Sequence, residues 1–248
     1  MPVKVNLNEP SVQYKISTLV KNYVLNGEKI NFSIRNPSDS TGTVFFNIHD
    51  DENTAVLATD SFLQQYPVKF IELQYKGKRH VSGMGSTGRY FHFDPNRIFS
   101  DFGVFQTLRV YRTFTTDNKK AVNKFAAFIC DSLLNDAKKI VAVHNNSKGF
   151  SIKKYMPDSV YAKNAAEIHI NENRNPTEFF YVIDSSHFEY FKNLNFNVIL
   201  QGPQVEEDGS LSVYCAQKGI FYINVEAKEE NLSEQYEMLI HLKDLLRR

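Results

Sequence analysis

The chain has 248 residues, with 29 basic against 28 acidic side chains and a formal net charge of +1. A hydrophobic fraction of 42% and a charged fraction of 23% are ordinary for a globular chain long enough for one large or two small α/β units. The balanced charge gives no electrostatic reason to expect nucleic acid or an anionic membrane as a partner, and no apolar run approaches the ~20 residues of a membrane helix.

Residues 1–40 read as a polar lead-in with strand-like pieces at 11–14 and 29–34. The opening Met1-Pro2-Val3-Lys4 lacks the apolar core of a secretory signal, so a cytoplasmic location is the default expectation. Asn36-Pro37-Ser38-Asp39-Ser40-Thr41-Gly42 is a turn cluster, and 43–48 is a short, mostly apolar run of the kind a central strand shows. A short helix is expected over 53–65 and an alternating strand over 69–75. Gly83, Gly85 and Gly88 break the chain before a strand at 89–93. The clearest helix is 119–134, with Val122, Phe125, Ala126, Ile129 and Leu133 on one face. A strand at 140–144 follows, then a long polar segment, 145–176, of the sort that walls a site. Strands at 179–183 and 196–200 flank a short helix at 186–192. A turn at 202–209, a last strand at 221–225 and an amphipathic helix at 231–246 complete the pattern. Strand–helix alternation without repeats or a linker implies a single α/β domain over 1–248, the lead-in packed on it. Cys130 and Cys215 have neither metal nor redox spacing, and their apolar surroundings suit buried thiols.

Four groups of side chains carry chemistry. His49 and Glu52 stand three positions apart just after the apolar run Val44-Phe45-Phe46, and His144 follows Ile140-Val141-Ala142-Val143. Strand ends are where open α/β sheets place their ligands. Two imidazoles and a carboxylate make a mixed nitrogen–oxygen donor set that suits one zinc ion with an open position, other divalent metals also fitting. The competing reading is two strand-end histidines and a solvated acidic turn. Asp50 and Asp51, between the ligands, are either rivals or supporting partners. Arg89 and Arg97 lie on either side of Tyr90-Phe91-His92-Phe93-Asp94-Pro95-Asn96. A guanidinium suits a carboxylate or a developing oxyanion, and Asn96 adds an orienting amide. Surface charges paired with Asp94 and Asp101 are the plainer alternative. Glu226 ends a strand that otherwise reads as buried, a natural place for a general base, or else it is the first residue of an exposed acidic turn.

In this order, His49-x-x-Glu52, then Arg89 leading to Asp94-x-Asn96-Arg97-x-Phe99, then a lone His144, then Glu226, the pieces resemble the zinc metallocarboxypeptidase superfamily. They are most similar to its aspartoacylase and succinylglutamate desuccinylase branch. The resemblance spans roughly 43–226 as scattered motifs. It implies a zinc-exopeptidase-like (phosphorylase/hydrolase-like) fold, a mixed and mostly parallel sheet flanked by helices. It implies His49, Glu52 and His144 as ligands of one zinc ion and Arg89 as the group that polarises the scissile carbonyl. Asn96 and Arg97 would hold a substrate carboxylate, with Glu226 as general base. The implied activity is hydrolysis of an amide or peptide bond in a small peptide or N-acyl amino acid. An assisting tyrosine is also expected, with Tyr181, Tyr190 and Tyr214 as candidates. The alternatives are a non-catalytic metal- or carboxylate-binding protein on the same scaffold, and a metal-dependent phosphoesterase that uses the acidic turn. Oligomeric state is not legible.

Overall fold

The strongest β signal, the apolar runs that precede His49 and His144, builds the centre of one nine-stranded sheet. The computed structural model describes residues 13–147 and 149–247. Eleven strands occur among them: β1 (Thr18–Leu25), β2 (Glu28–Arg35), β3 (Thr43–Asn47), β4 (Lys69–Gln74), β5 (Val81–Met84), β6 (Tyr90–Phe93), β7 (Lys139–Asn146), β8 (Ala165–His169), β9 (Phe179–Val182), β10 (Val198–Gln201) and β11 (Phe221–Lys228). The large sheet runs β1-β2-β4-β3-β7-β11-β9-β10-β8. Its centre, β4, β3, β7 and β11, is parallel, and the flanking strands β2 and β9 join it antiparallel. Tracing the pairings outward, only β2, β9 and β10 run against the rest, so the sheet is mixed with most strands pointing one way. Every residue of β3 is buried, as expected of a strand covered on both faces.

Among the described residues, six α-helices cover the two faces: α1 (Asn53–Leu63), α2 (Asp101–Val110), α3 (Thr116–Phe128), α4 (Ser185–Asn193), α5 (Leu211–Lys218) and α6 (Leu232–Leu246). Strand alternation divides the core. Val44, Phe46, Ile140 and Ala142 pack with α2, α3 and α5 through Val104, Leu108, Val122, Phe125 and Leu211. Phe45, Val141 and Val143 pack with α1, α4 and α6 through Phe62, Phe188 and Leu239. No described helix is long and apolar enough to cross a membrane.

Several elements depart from the expectation. The lead-in supplies β1 and β2, an antiparallel pair that extends the sheet rather than lying on it. Of the expected strand at 11–14, residues 11 and 12 lie outside the described residues, and Gln13 and Tyr14 are not in a strand. The helix expected over 119–134 begins earlier, at Thr116, and loosens into a π turn over Ile129–Leu133. Gly83 does not break the chain but sits inside β5, which pairs only with β6. A Cβ there would come within 2.5 Å of the buried Phe91 ring, so packing selects the glycine. The polar 145–176 segment contains β8. Two helices are additional: α2, obscured by Gly103 in its first turn, and the eight-residue α5. Gly103 is needed because its Cα faces Gly209 so closely that a Cβ would lie 2.3 Å from the Gly209 Cα. That contact presses the 202–210 loop onto the Asp94–Arg97 turn, where the Phe99 N–H donates to the Gly209 carbonyl at 2.9 Å.

Candidate active site

His49, His144 and Glu226 come from three adjacent parallel strands of the sheet centre, so all three emerge at one edge, the carboxyl ends of β3, β7 and β11. His144 and Glu226 are direct partners across the β7–β11 ladder. Glu52 stands at the N-cap of α1, after a tight turn closed by its N–H donating to the His49 carbonyl at 3.2 Å. The three sequence-expected ligands meet: His49 Nδ1 lies 2.9 Å from Glu52 Oε1, and His144 Nδ1 lies 2.8 Å from Glu52 Oε2. All three are buried, and one donor atom from each falls within 4.8 Å of the other two.

The electrostatics follow from that burial. His49 Nε2 also contacts Asp94 Oδ1 at 3.0 Å, so both ring nitrogens face carboxylates. Burial opposes a charge on His49, but Glu52 and Asp94 outweigh it and lift its pKa to about 9. Burial likewise disfavours the Glu52 charge, and the two histidines overcome it and hold the carboxyl well below its ordinary range. Asp94 is lowered in the same way, burial being outweighed by its bond to His49. Without an ion, the charged His49 ring therefore stands between the Glu52 and Asp94 carboxylates. The donor chemistry fits a divalent cation. A cation would take the place of the Nδ1 protons, and Asp94 on Nε2 would fix the ring, as the outer carboxylate of a metal-bound histidine does.

The arginines fall differently from the expectation. Arg89 is exposed where the β5–β6 hairpin turns back, and it does not line the cavity. Arg79, not singled out in the sequence, takes the inward place: its Nη1 donates to Glu52 Oε1 at 2.7 Å, and it lines the cavity. The physical reason is strand order. Arg79 follows β4, which lies parallel to β3, so the loop after β4 opens at the same sheet edge as His49, whereas the hairpin tip points away. The only sequence signal was the basic run Lys76-Gly77-Lys78-Arg79-His80, which becomes informative only once β4 is known to neighbour β3.

Asn96 and Arg97 do reach the cavity, on a short 3-10 turn (Pro95–Arg97) capped by the Asp94 side chain, which accepts the Asn96 N–H at 2.8 Å. The Asn96 side-chain oxygen accepts the Leu211 N–H at 3.2 Å, tying the turn to α5. Arg97 Nη1 donates to the Asn96 carbonyl at 2.7 Å, and its Nε lies 3.6 Å from Asp208 Oδ2. The expected partners of the plainer reading are thus engaged elsewhere, Asp94 with His49 and Asp101 with Lys119 at 2.6 Å. Asp50 is no ligand: its carboxylate accepts the Tyr75 and Gly77 N–H groups and clamps the loop after β4. Asp51 lies exposed at the cavity wall.

Glu226 lines the same cavity of about 540 Å³ and accepts the side-chain amides of Asn224 and Asn146, each at 3.3 Å. Burial raises its pKa, and Glu52 adds to the rise against the opposing pull of His144. The 145–176 segment supplies a wall through Phe150, Tyr155, Tyr161 and Asn164. Of the three tyrosines expected as assistants, only Tyr181 faces the cavity, and its hydroxyl donates to the Asn164 carbonyl at 2.9 Å. Tyr190 donates to the His241 carbonyl, and Tyr214 packs on Phe99. Tyr155, Tyr161 and Tyr222 line the cavity although the sequence did not single them out.

No protein-family model matches the sequence, and no curated protein matches it in sequence. Solved structures do match. A putative carboxypeptidase A from Shewanella denitrificans superposes with a TM-score of 0.52 at 10% identity, over 94% of this chain and 65% of that one. Thrombin-activatable fibrinolysis inhibitor superposes with a TM-score of 0.52 at 9% identity, over 94% and 68%. A succinylglutamate desuccinylase/aspartoacylase from Rhodobacter sphaeroides matches with a TM-score of 0.44 at 12% identity, over 100% and 69%. The fold is that of carboxypeptidase-like structures, in agreement with the resemblance carried by the sequence motifs.

Proposed function

We propose that this chain is a zinc-dependent hydrolase that cleaves an amide or peptide bond in a small substrate bearing a free carboxylate. The observation that carries the reading is the meeting, in one cavity, of a buried His–Glu–His donor set, a carboxylate of raised pKa and two arginines. His49, Glu52 and His144 hold the ion, which when bound supplies Lewis acidity to water and to a substrate carbonyl. Arg97 and Asn96 anchor the substrate carboxylate, since a guanidinium fork and an amide match its two oxygens. Arg79, beside Glu52, is placed to stabilise the negative charge that develops on the carbonyl oxygen. Glu226 takes a proton from the attacking water and returns it to the leaving nitrogen. A carboxyl whose pKa is raised by burial serves that exchange better than one held low by a cation. Small peptides and N-acyl amino acids both present the required groups.

The test is metal analysis of the purified protein followed by assay on a panel of N-acyl amino acids and short peptides, for wild type and Glu226→Gln. The expected result is one zinc per chain in both proteins, activity abolished by chelator, and kcat lower by about 10²–10⁴-fold in the variant. Zinc bound with no turnover across the panel would instead assign the chain as a metal- and carboxylate-binding protein. Full activity in Glu226→Gln would remove Glu226 from the mechanism.

A further inference from the structure

Glu52 occupies the N-cap position of α1, where a side chain ordinarily accepts the N–H of the second or third helical residue. It does not do so. Its carboxylate turns into the cavity towards both histidines, and the helix start has no side-chain cap of its own. The third helical N–H, that of Ala55, is nevertheless satisfied: it donates at 2.7 Å to the side-chain oxygen of Asn145, on strand β7. Asn145 directly follows His144. Strand alternation sends the His144 ring into the cavity and the Asn145 amide to the opposite face, under α1 and α6.

The orientation of that amide is set by a second buried amide. Gln235 of α6 is fully buried. Its oxygen accepts the Asn145 NH2 at 2.7 Å, while its own NH2 donates to the His144 carbonyl at 3.0 Å. Because the Asn145 nitrogen is held by Gln235, its oxygen must face Ala55. The same Asn145 nitrogen lies 3.4 Å from the carbonyl of Ala227, the residue after Glu226. One pair of buried amides therefore touches the chain three residues after Glu52, at His144 itself and one residue after Glu226. A buried amide stripped of a partner is left with its desolvation cost uncompensated, so the pair resists partial rearrangement.

We infer that Asn145, oriented by Gln235, is a positioning residue: it caps α1 from a neighbouring strand, frees the Glu52 carboxylate for the cavity and sets its separation from His144. The inference rests on the proposed ion site for its consequence, but the cap is a property of the ion-free protein. The test uses Asn145→Leu and Gln235→Met, which keep the volume and remove the hydrogen bonds. Asn197→Leu serves as the control, since Asn197 is a buried amide that does not line the cavity and bonds neither α1 nor His144, its NH2 donating to the Asn175 and Glu178 carbonyls.

Zinc affinity is measured by competition with a chromogenic chelator, together with the visible spectrum of the cobalt-substituted protein. Amide hydrogen exchange at Ala55 is followed in the ion-free proteins. All three variants are expected to melt lower. Asn145→Leu and Gln235→Met are expected to lose zinc affinity by about ten-fold or more, to shift the cobalt bands and to lose protection at Ala55. Asn197→Leu keeps all three readouts. If the two positioning variants instead match the control, with lower melting but unchanged affinity, spectrum and protection, the amide pair is structural only and the inference fails. If a site variant does not fold, the other decides. Should wild type bind no divalent ion, the proposed function fails, and exchange at Ala55 alone still accepts or rejects the cap.

Discussion

The cavity is assembled from two kinds of chain, and they differ in how they are held. Three groups of the site stand on or just past central strands: His49 two residues beyond β3, His144 near the end of β7 and Glu226 on β11, all from one parallel block whose register is locked by the core on both faces, with Glu52 at the start of the helix that follows His49. The cationic side stands on loops: Arg79 between β4 and the β5–β6 hairpin, Asn96 and Arg97 on a 3-10 turn held down by the Gly103–Gly209 contact. Shifting a central strand by one residue would bury every wrong side chain, so its end is placed firmly. A loop has no such penalty, and which of its residues faces the cavity is decided by what it packs on. Two arginines ten positions apart, Arg79 and Arg89, illustrate this, one directed onto Glu52 and one into solvent.

The sharpest way to break the comparison is to exchange those arginines' fates by mutation. Arg79→Met is expected to lower kcat by about 10²–10³-fold, the scale of removing one oxyanion donor, while Arg89→Met leaves kcat within two-fold. Steady-state kinetics on one good substrate decides it, and the opposite ranking would return the role to the hairpin. A smaller effect is expected from Arg97→Met. Losing a charged hydrogen-bond partner of the substrate carboxylate, worth about 1.5–3 kcal/mol, raises KM by roughly 10–150-fold and leaves kcat less affected. A loss confined to kcat would mean that Arg97 does not anchor the ground state.

The smallest expected effect concerns pH and touches the strand-end group alone. The His49 pKa is raised to about 9 in the ion-free protein, above the ~6.5 of an unfolded chain. Its contribution to stability is thus fully present below about pH 6.5 and is lost as pH rises through 9. Glu52 and Asp94 are shifted the other way, so their contribution is present above the ordinary carboxylate range and is lost on acidification. Ion-free protein is expected to melt progressively lower from pH 6.5 to 9, whereas zinc-loaded protein, with the ion in place of the proton, does not. Calorimetric scans with and without zinc measure this directly. An equal alkaline decline in both forms would show that His49 is not where the ion binds.

Much of the strand framework was legible. The runs at 43–48, 69–75, 140–144 and 221–225 are strands because each is too short for a helix and too apolar for a loop, and their ends located His49, His144 and Glu226. The Asp-Pro-Asn-Arg turn was legible for a local reason: Asp94 caps it from within four residues. The rest required the tertiary structure. β1 is an edge strand with exposed residues and so carries no buried pattern. α2 hides behind Gly103, a residue that disfavours helix and is present because Gly209 packs against it.

What the amino-acid sequence determined by itself is the local part: which runs become central strands, where they end, and which ionisable side chains stand at those ends. Periodicity and burial act over a few residues and suffice for that. Only the fold decided that β4 lies beside β3 and brings in Arg79, and that the hairpin carries Arg89 away. The same is true of Asn145, which reaches from β7 to cap the helix that begins after Glu52. Those contacts join residues tens of positions apart, and their energy exists only once the sheet order has been chosen.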